Sequence, residues 1–425
     1  MVTSEPFASE IHACRICRGG VLRPVIDLGP QYIASVFAAT DIPDYLARRY
    51  PLEVVRCATP DGCGLVQLRH SVPPRILYSH YGYLSGINEA MRTNLREIAQ
   101  KVEGMADLHA GDLVVDIGCN EGTLLCSYET DTLDKLGFDP AENVAEIARA
   151  KGLAVERTFF SADVFRGARP GRKARAVTSI AMFYDLEDPC AFVRDVASIL
   201  ADDGLWVIEL SYLPLMLSNS SYDTICHEHL EYYALRQIEW MLRREGLQTA
   251  DIEYNDINGG SFRLFIRKAA FAVDADSRRR VEKVRQDEAA LNLHTDYPYM
   301  LFEEVASKQR RELLTLLTDL HAAGKSIYIY GASTKGNTIL QFCGIDHRLV
   351  PKAVDRNPAK WGRRTLGTNI PIISEDEARA ERPDYFLVLP WPFFEVFRTR
   401  EAEFLRRGGK FILPLPGVRI VGIND

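Results

Sequence analysis

Short apolar runs, each closed by glycine, aspartate or proline, set the rhythm of this chain. Leu113 to Ile117 is such a run; it opens into Gly118-Cys119-Asn120-Glu121-Gly122 and then a helical TLLCSY. A second short strand, KLGFDP, ends at Asp139 about twenty residues further on, the spacing of a strand, glycine turn, helix and strand in a doubly wound sheet. After a charged helical stretch over 276–323 the pattern recurs: Ile327 to Tyr330 feeds a loop with Gly331, Lys335 and Gly336, then a helix, and strands are predicted in LVPKAVDRNPAKWG and PDYFLVLPW. Two α/β units with parallel sheets are predicted, the second the smaller.

Length and composition narrow the class. A chain of 425 residues exceeds one core, and 47% hydrophobic with 26% charged residues is ordinary for a soluble globular protein. Without a run of about 18 apolar residues, no membrane span is expected; a net charge of -7 without a long basic tract argues against nucleic acid as partner. Lacking a basic-then-apolar leader, the chain is expected in the cytoplasm, and its nine cysteines then read as reduced thiols, some metal-bound. Cys14 and Cys17 form a C-x-x-C, and Cys57 and Cys63 follow as a wider pair flanked by Gly62 and Gly64. Four thiolates on two turns suit a closed, structural zinc tetrahedron. Zinc would also stabilise a small module with a thin core.

Asp116-x-Gly118-x-x-x-Gly122 is not the nicotinamide fingerprint, because Asn120 stands where the central glycine would be. Asparagine tolerates the left-handed conformation, so the tight turn is retained. Asp139, at the end of the second strand, is placed to hold a ribose diol. The arrangement resembles S-adenosylmethionine-dependent methyltransferases of the Rossmann type. AVTSIAMFYDLEDP (176–189) looks like their fourth strand and cofactor-flanking loop, with Met182 and Phe183 at the cofactor; LADDGLWVIEL (200–210) looks like the helix, acidic-glycine turn and fifth strand that follow, and NGGSFRLFIRK (258–268) like a late hairpin strand.

The segment CHEHLEYY holds His227, Glu228 and His229. By itself it fits a general base with its carboxylate, a metal pair without an evident third ligand, or a structural polar turn. Taken in order, the cysteine pairs, YGYLSG (81–86), VVDIGCNEGTLL, CHEHLEYY, NGGSFR, YGASTKGNTILQFCGI and DRNPAKWGRRTLGTNIPI resemble the nucleotide-sugar C-methyltransferases. These methylate C3 of 4-keto-deoxysugars carried on thymidine diphosphate. The resemblance implies a class I methyltransferase Rossmann-like core (76–275) between a small zinc-binding domain (1–75) and a C-terminal Rossmann-like α/β domain (276–425). It implies His229 as the base with Glu228 beside it, Tyr83 by the sugar, and Asp116, Gly118, Asn120, Gly122 and Asp139 at S-adenosylmethionine. Ser261, Arg263, Lys335 and Asn337 are expected at the substrate, with Arg263 and the lysine loop at the diphosphate. Family members commonly carry tyrosine where this chain has Cys226, so Tyr222, Tyr232 or Tyr233 is a candidate replacement. The runner-up readings are an O- or N-methyltransferase of another small molecule and a zinc-knuckle nucleic-acid-binding protein. A monomer or small homo-oligomer is expected.

Overall fold

A computed structural model describes residues 8–39, 42–78, 82 and 84–425. Its centre is a seven-stranded sheet of β1 (Leu113–Ile117), β2 (Asp134–Phe138), β3 (Ala154–Glu156), β4 (Ala174–Ile180), β5 (Leu200–Ser211), β6 (Leu247–Asn255) and β7 (Ser261–Lys268). The spatial order is β6-β7-β5-β4-β1-β2-β3. β1 to β5 run parallel, and β7 lies antiparallel between β5 and β6. All five β1 side chains are buried, as a parallel strand covered on both faces requires. The chain reverses its winding between β1 and β4, and a ligand crevice opens at the carboxyl ends of the strands at such a point. This is the class I methyltransferase fold.

The strand predicted after the acidic Asp202-Asp203-Gly204 begins earlier, at Leu200. Ala174 pairs with Leu200 and Ala176 with Leu205, so the expected turn is a bulge inside β5.

The C-terminal sheet contains β8 (Ile327–Tyr330), β9 (Lys352–Val354), β10 (Ile372–Ile373), β11 (Tyr385–Val388), β12 (Lys410–Leu413) and β13 (Arg419–Val421), in the order β10-β9-β8-β11-β12-β13. Only β13 is antiparallel, giving a Rossmann-like strand order. The charged stretch before it is two helices, Ala275–Ala290 and Tyr297–Ala322. Pro298 fixes the start of the second. Val281 and Val284 of the first pack into the central core.

The N-terminal strands Leu22–Asp27, Glu53–Cys57 and Val66–Leu68 form an antiparallel sheet whose fourth strand, Glu231–Tyr232, comes from the middle of the chain. The helix Thr334–Cys343 is fastened to the N-terminal segment: Asn337 Nδ2 donates to the Ala34 carbonyl at 2.7 Å, and the Gln341 amide bonds the Tyr32 backbone in both directions. All three units therefore interlock.

Candidate active site

One cavity of about 560 Å³ runs from the carboxyl ends of β1, β2 and β4 to the glycine loop after β8. Gly118 and Asn120 both adopt left-handed backbone, with φ of 74° and 50°, which turns the loop sharply over the end of β1. The Asn120 N–H donates to Asp139 Oδ2 at 2.9 Å, and the Ala141 N–H to Oδ1 at 2.9 Å. Asp116 accepts from Thr178 Oγ1 at 2.6 Å. Burial, with the nearby Asp139 charge, lifts the Asp116 carboxyl to about 7 despite that bond; burial also raises Asp139. Neither carboxylate has a cationic side chain within ion-pair distance among the described residues. Buried without a counter-cation, Asp116 fits the positively charged end of S-adenosylmethionine, and Asp139, at the end of β2, fits its ribose hydroxyls. Met182, Phe138 and Phe160 add apolar wall. The cavity is covered by the segment leading into helix Glu89–Ala106, where the Ser85 N–H and Oγ bond the Glu121 carboxylate.

At the other end the three residues of His-Glu-His diverge. His227 Nε2 donates to the Tyr50 carbonyl at 3.1 Å, and its ring lies edge-on to Tyr50. It is a buried anchor to the N-terminal unit. Glu228 is 4% exposed, lines the cavity, and has no hydrogen-bond partner on either carboxylate oxygen among the described residues. His229 Nδ1 donates to the Thr224 carbonyl at 2.7 Å. This fixes the tautomer and leaves Nε2 as the unprotonated nitrogen of a ring lining the cavity. Tyr184 stacks edge-on to it at 4.5 Å. Burial, then the Lys335 charge, push the His229 imidazole down to about 4, against the pull of Glu228 and the Thr224 carbonyl. The ring is neutral at pH 7.

Lys335 lines the same end, its ammonium pulled down by burial and partly restored by Asp223. The glycines of its loop serve packing rather than phosphate approach. A Cβ on Gly331 would lie 2.4 Å from Pro390 Cγ, and one on Gly336 2.6 Å from Leu389 Cβ. At the end of β9, Asp355 pairs with Lys360, which also donates to the Ala332 carbonyl.

The four predicted cysteine ligands converge. Their sulfurs lie within 4.8 Å of one another, with Cys14–Cys63 and Cys17–Cys57 at 3.4 Å. These distances exceed a disulfide bond and approach the edge, about 3.8 Å, of a tetrahedron of ~2.3 Å Zn–S bonds. Among the described residues no other His, Cys, Asp or Glu group is close enough to hold a metal. The metal-pair reading of His227 and His229 therefore falls.

Several expected residues sit elsewhere. Arg263 is buried with Nε 2.8 Å from Glu209 and Nη2 2.8 Å from Asn94, so it braces β7 and is not open to a diphosphate. Ser261 Oγ donates to the Ile257 carbonyl, and Asn337 is spent on Ala34. Phe183 is buried among Phe192, Trp206 and Tyr233 instead of facing the cofactor end. Gly122 caps the following helix at φ 79°, where a Cβ would lie 2.2 Å from Leu153 Cδ1. Tyr222 bonds Cys343, and Tyr232 and Tyr233 bury their hydroxyls without partners among the described residues; none of the three lines the large cavity, which Tyr78 and Tyr184 do. Tyr83 lies outside the described residues. Cys226 lines the cavity, its thiol pushed up by burial and by Glu228 and Asp185. Asp185 was not expected. It sits in the loop after β4 with one buried carboxylate oxygen that has no partner among the described residues, and burial with the Glu228 charge raises it well above the carboxylate range. The acid in FYDLED was its only sequence signal.

Profiles of known families match the chain in three segments: a zinc binding domain over 14–78, a methyltransferase domain over 87–252 and a C-methyltransferase C-terminal domain over 256–416. The C-methyltransferase NovU of Streptomyces niveus is 31% identical over 417 residues, covering 98% of each chain. Among solved structures, the magnesium protoporphyrin IX methyltransferase ChlM of Synechocystis PCC 6803 with bound SAM is 16% identical, with a TM-score of 0.32 over 42% of this chain and 79% of that one. DesVI of Streptomyces venezuelae is also 16% identical, with a TM-score of 0.30 over 41% and 90%. Sheet, cavity and cysteine cluster together define a zinc-binding, S-adenosylmethionine-dependent methyltransferase. The chain belongs to the C-methyltransferase family that includes NovU.

Proposed function

We propose that the protein methylates C3 of a 4-keto-deoxysugar carried on a nucleoside diphosphate, most simply thymidine diphosphate, with His229 as base. The observation that carries this reading is the His229 tautomer: Nδ1 is committed to the Thr224 carbonyl, so Nε2 offers a lone pair to a cavity whose far end holds two uncompensated carboxylates. Carbon becomes nucleophilic only when a neighbouring ketone acidifies its C–H and a positioned base removes the proton. S-adenosylmethionine supplies an electrophilic methyl group when bound. Asp185 and Glu228 face the sugar's oxygens, and a carboxyl that stays protonated can donate to an enolate as charge develops. Lys335 holds the anionic end of the nucleotide. Neutralising that ammonium with a phosphate removes a charge that weakens His229, so substrate binding strengthens its own base.

The test uses methyl-labelled S-adenosylmethionine and a thymidine diphosphate 4-keto-deoxysugar. Carbon NMR should place the label on a base-stable C–CH3 group. In deuterated water without the cofactor, the C3 hydrogen should exchange. Label on oxygen or nitrogen would sink the reading and establish the alternative methyltransferase chemistry.

A further inference from the structure

Arg15 lies between two zinc ligands, Cys14 and Cys17, yet it is 2% exposed. Its Nη1 donates to the Leu68 carbonyl at 2.7 Å and to Gln67 Oε1 at 3.4 Å, and Nη2 donates to Ser71 Oγ at 2.8 Å. The remaining Nε stands 3.7 Å from Glu231 Oε1 and 3.9 Å from Glu187 Oε2. Glu231 has a fully enclosed side chain, and burial holds its carboxyl well above the ordinary range, with Arg15 pulling against that rise. Among the described residues Arg15 is the cation within ion-pair distance of it. Arg15 is the charge that opposes the burial cost of Glu231, and removing it leaves that enclosed acid with no cation beside it, so Arg15 favours the placement of Glu231 seen here.

Glu231 opens the strand that completes the N-terminal sheet, pairing with Gln67, and the Leu68 N–H donates to the Leu230 carbonyl at 2.8 Å. Arg15 therefore grips both partners of this pairing, through Leu68 on one strand and Glu231 on the other. His229 is the next residue but one. Ser71, the third partner, donates in turn to Glu187 on the cavity wall.

We propose that Arg15 is a positioning residue that fastens the His229 loop to the zinc knuckle, so that the metal-bearing turn sets the orientation of His229 in the cavity. Its consequence for turnover rests on His229 being the base; the fastening itself does not. The groups facing His229 are the Thr224 carbonyl, Glu228, Lys335 and Tyr184, and Glu231 shares a small cleft with it. Neither Arg15 nor Glu231 contributes directly to its titration, which reports enclosure of the ring.

The experiment follows the imidazole resonances of isotope-labelled histidine in the full chain loaded with zinc. The His229 signal is identified by its loss in His229→Asn. In Arg15→Met and Arg15→Lys we expect about one zinc per chain and cofactor affinity within about twofold of the parent. The His229 titration should move up towards the ordinary value of about 6.5 as water enters. Turnover should fall tenfold or more at unchanged KM for the cofactor. Arg15→Lys separates position from charge, because one ammonium cannot reproduce the planar fork. An unmoved His229 titration in either folded, zinc-loaded variant overturns the proposal, as does a shift confined to protein that has lost zinc. If the Arg15 variants do not fold, Glu231→Gln decides by the same titration. Failure of the base assignment shows separately, as turnover retained in His229→Asn.

Discussion

A histidine driven down to about 4 by burial and by Lys335 is a base that needs no deprotonation at neutral pH. His229→Asn should therefore abolish both methylation and C3–H exchange while leaving cofactor affinity intact, a split read by isothermal titration beside turnover. Near-normal turnover would dismiss the base. In the parent, with the cofactor saturating, the acid limb of kcat/KM for the sugar should fall near pH 4 rather than at the ordinary histidine value, because the conjugate acid forms only there. Asp116 titrates higher, at about 7, and here too the deprotonated form is the functional one. Below that pH it is neutral and attracts no cation, so affinity for S-adenosylmethionine should rise as pH climbs from 6 to 8. Asp116→Asn should flatten this dependence; an unchanged slope would mean another group is responsible. These residues were legible because their roles depend on local sequence: Asn120 in a tight turn, Asp116 inside an apolar strand, a histidine beside a glutamate. Arg263 and Asn337 misled because their partners, Glu209 and Ala34, lie 54 and 303 residues away. A polar side chain in sequence does not reveal whether folding will consume it.

At the scale of elements, the strand–turn–helix unit at β1 was predictable throughout, since every requirement lies within about ten residues. Its last glycine serves a different purpose from the first. Gly118 turns the chain beside Met182, whereas Gly122 lets the helix approach Leu153. Gly122→Ala should cost about 2–4 kcal/mol, combining the left-handed penalty with overpacking. Urea unfolding of the cofactor-free chain measures it, and a loss below about 0.5 kcal/mol would show that Leu153 yields freely. The glycine loop after β8 carried an ambiguous signal, because close packing and phosphate approach demand the same residue. Pro390 and Leu389, which decide for packing, arrive from the loop just beyond β11. The strand Glu231–Tyr232 was invisible in sequence: two residues carry no period, and only a foreign sheet edge gives them one.

Across the whole molecule, the cavity is a shared product of units that are separate in sequence. Helix Thr334–Cys343 presents Lys335 to the cavity while bonding Tyr32, Ala34 and the Ile225 carbonyl on its other sides. The N-terminal sheet is incomplete without a strand that follows directly from His229. Zinc in such a module contributes to folding itself, so its removal should be felt beyond the cysteines. Chelation with a strong zinc binder, followed by hydrogen–deuterium exchange, should expose the amides of Leu65 to Leu68 together with those of residues 226–233. The Leu68 N–H is the sharpest probe, because its acceptor is the Leu230 carbonyl. Amides in β1 and β8 should stay protected, since their ladders lie wholly within other sheets. Turnover should fall in step with exchange at 226–233, and readdition of zinc should restore both. Exchange confined to residues 14–63 would show that the composite sheet survives without the metal, and the zinc knuckle would then stabilise only itself.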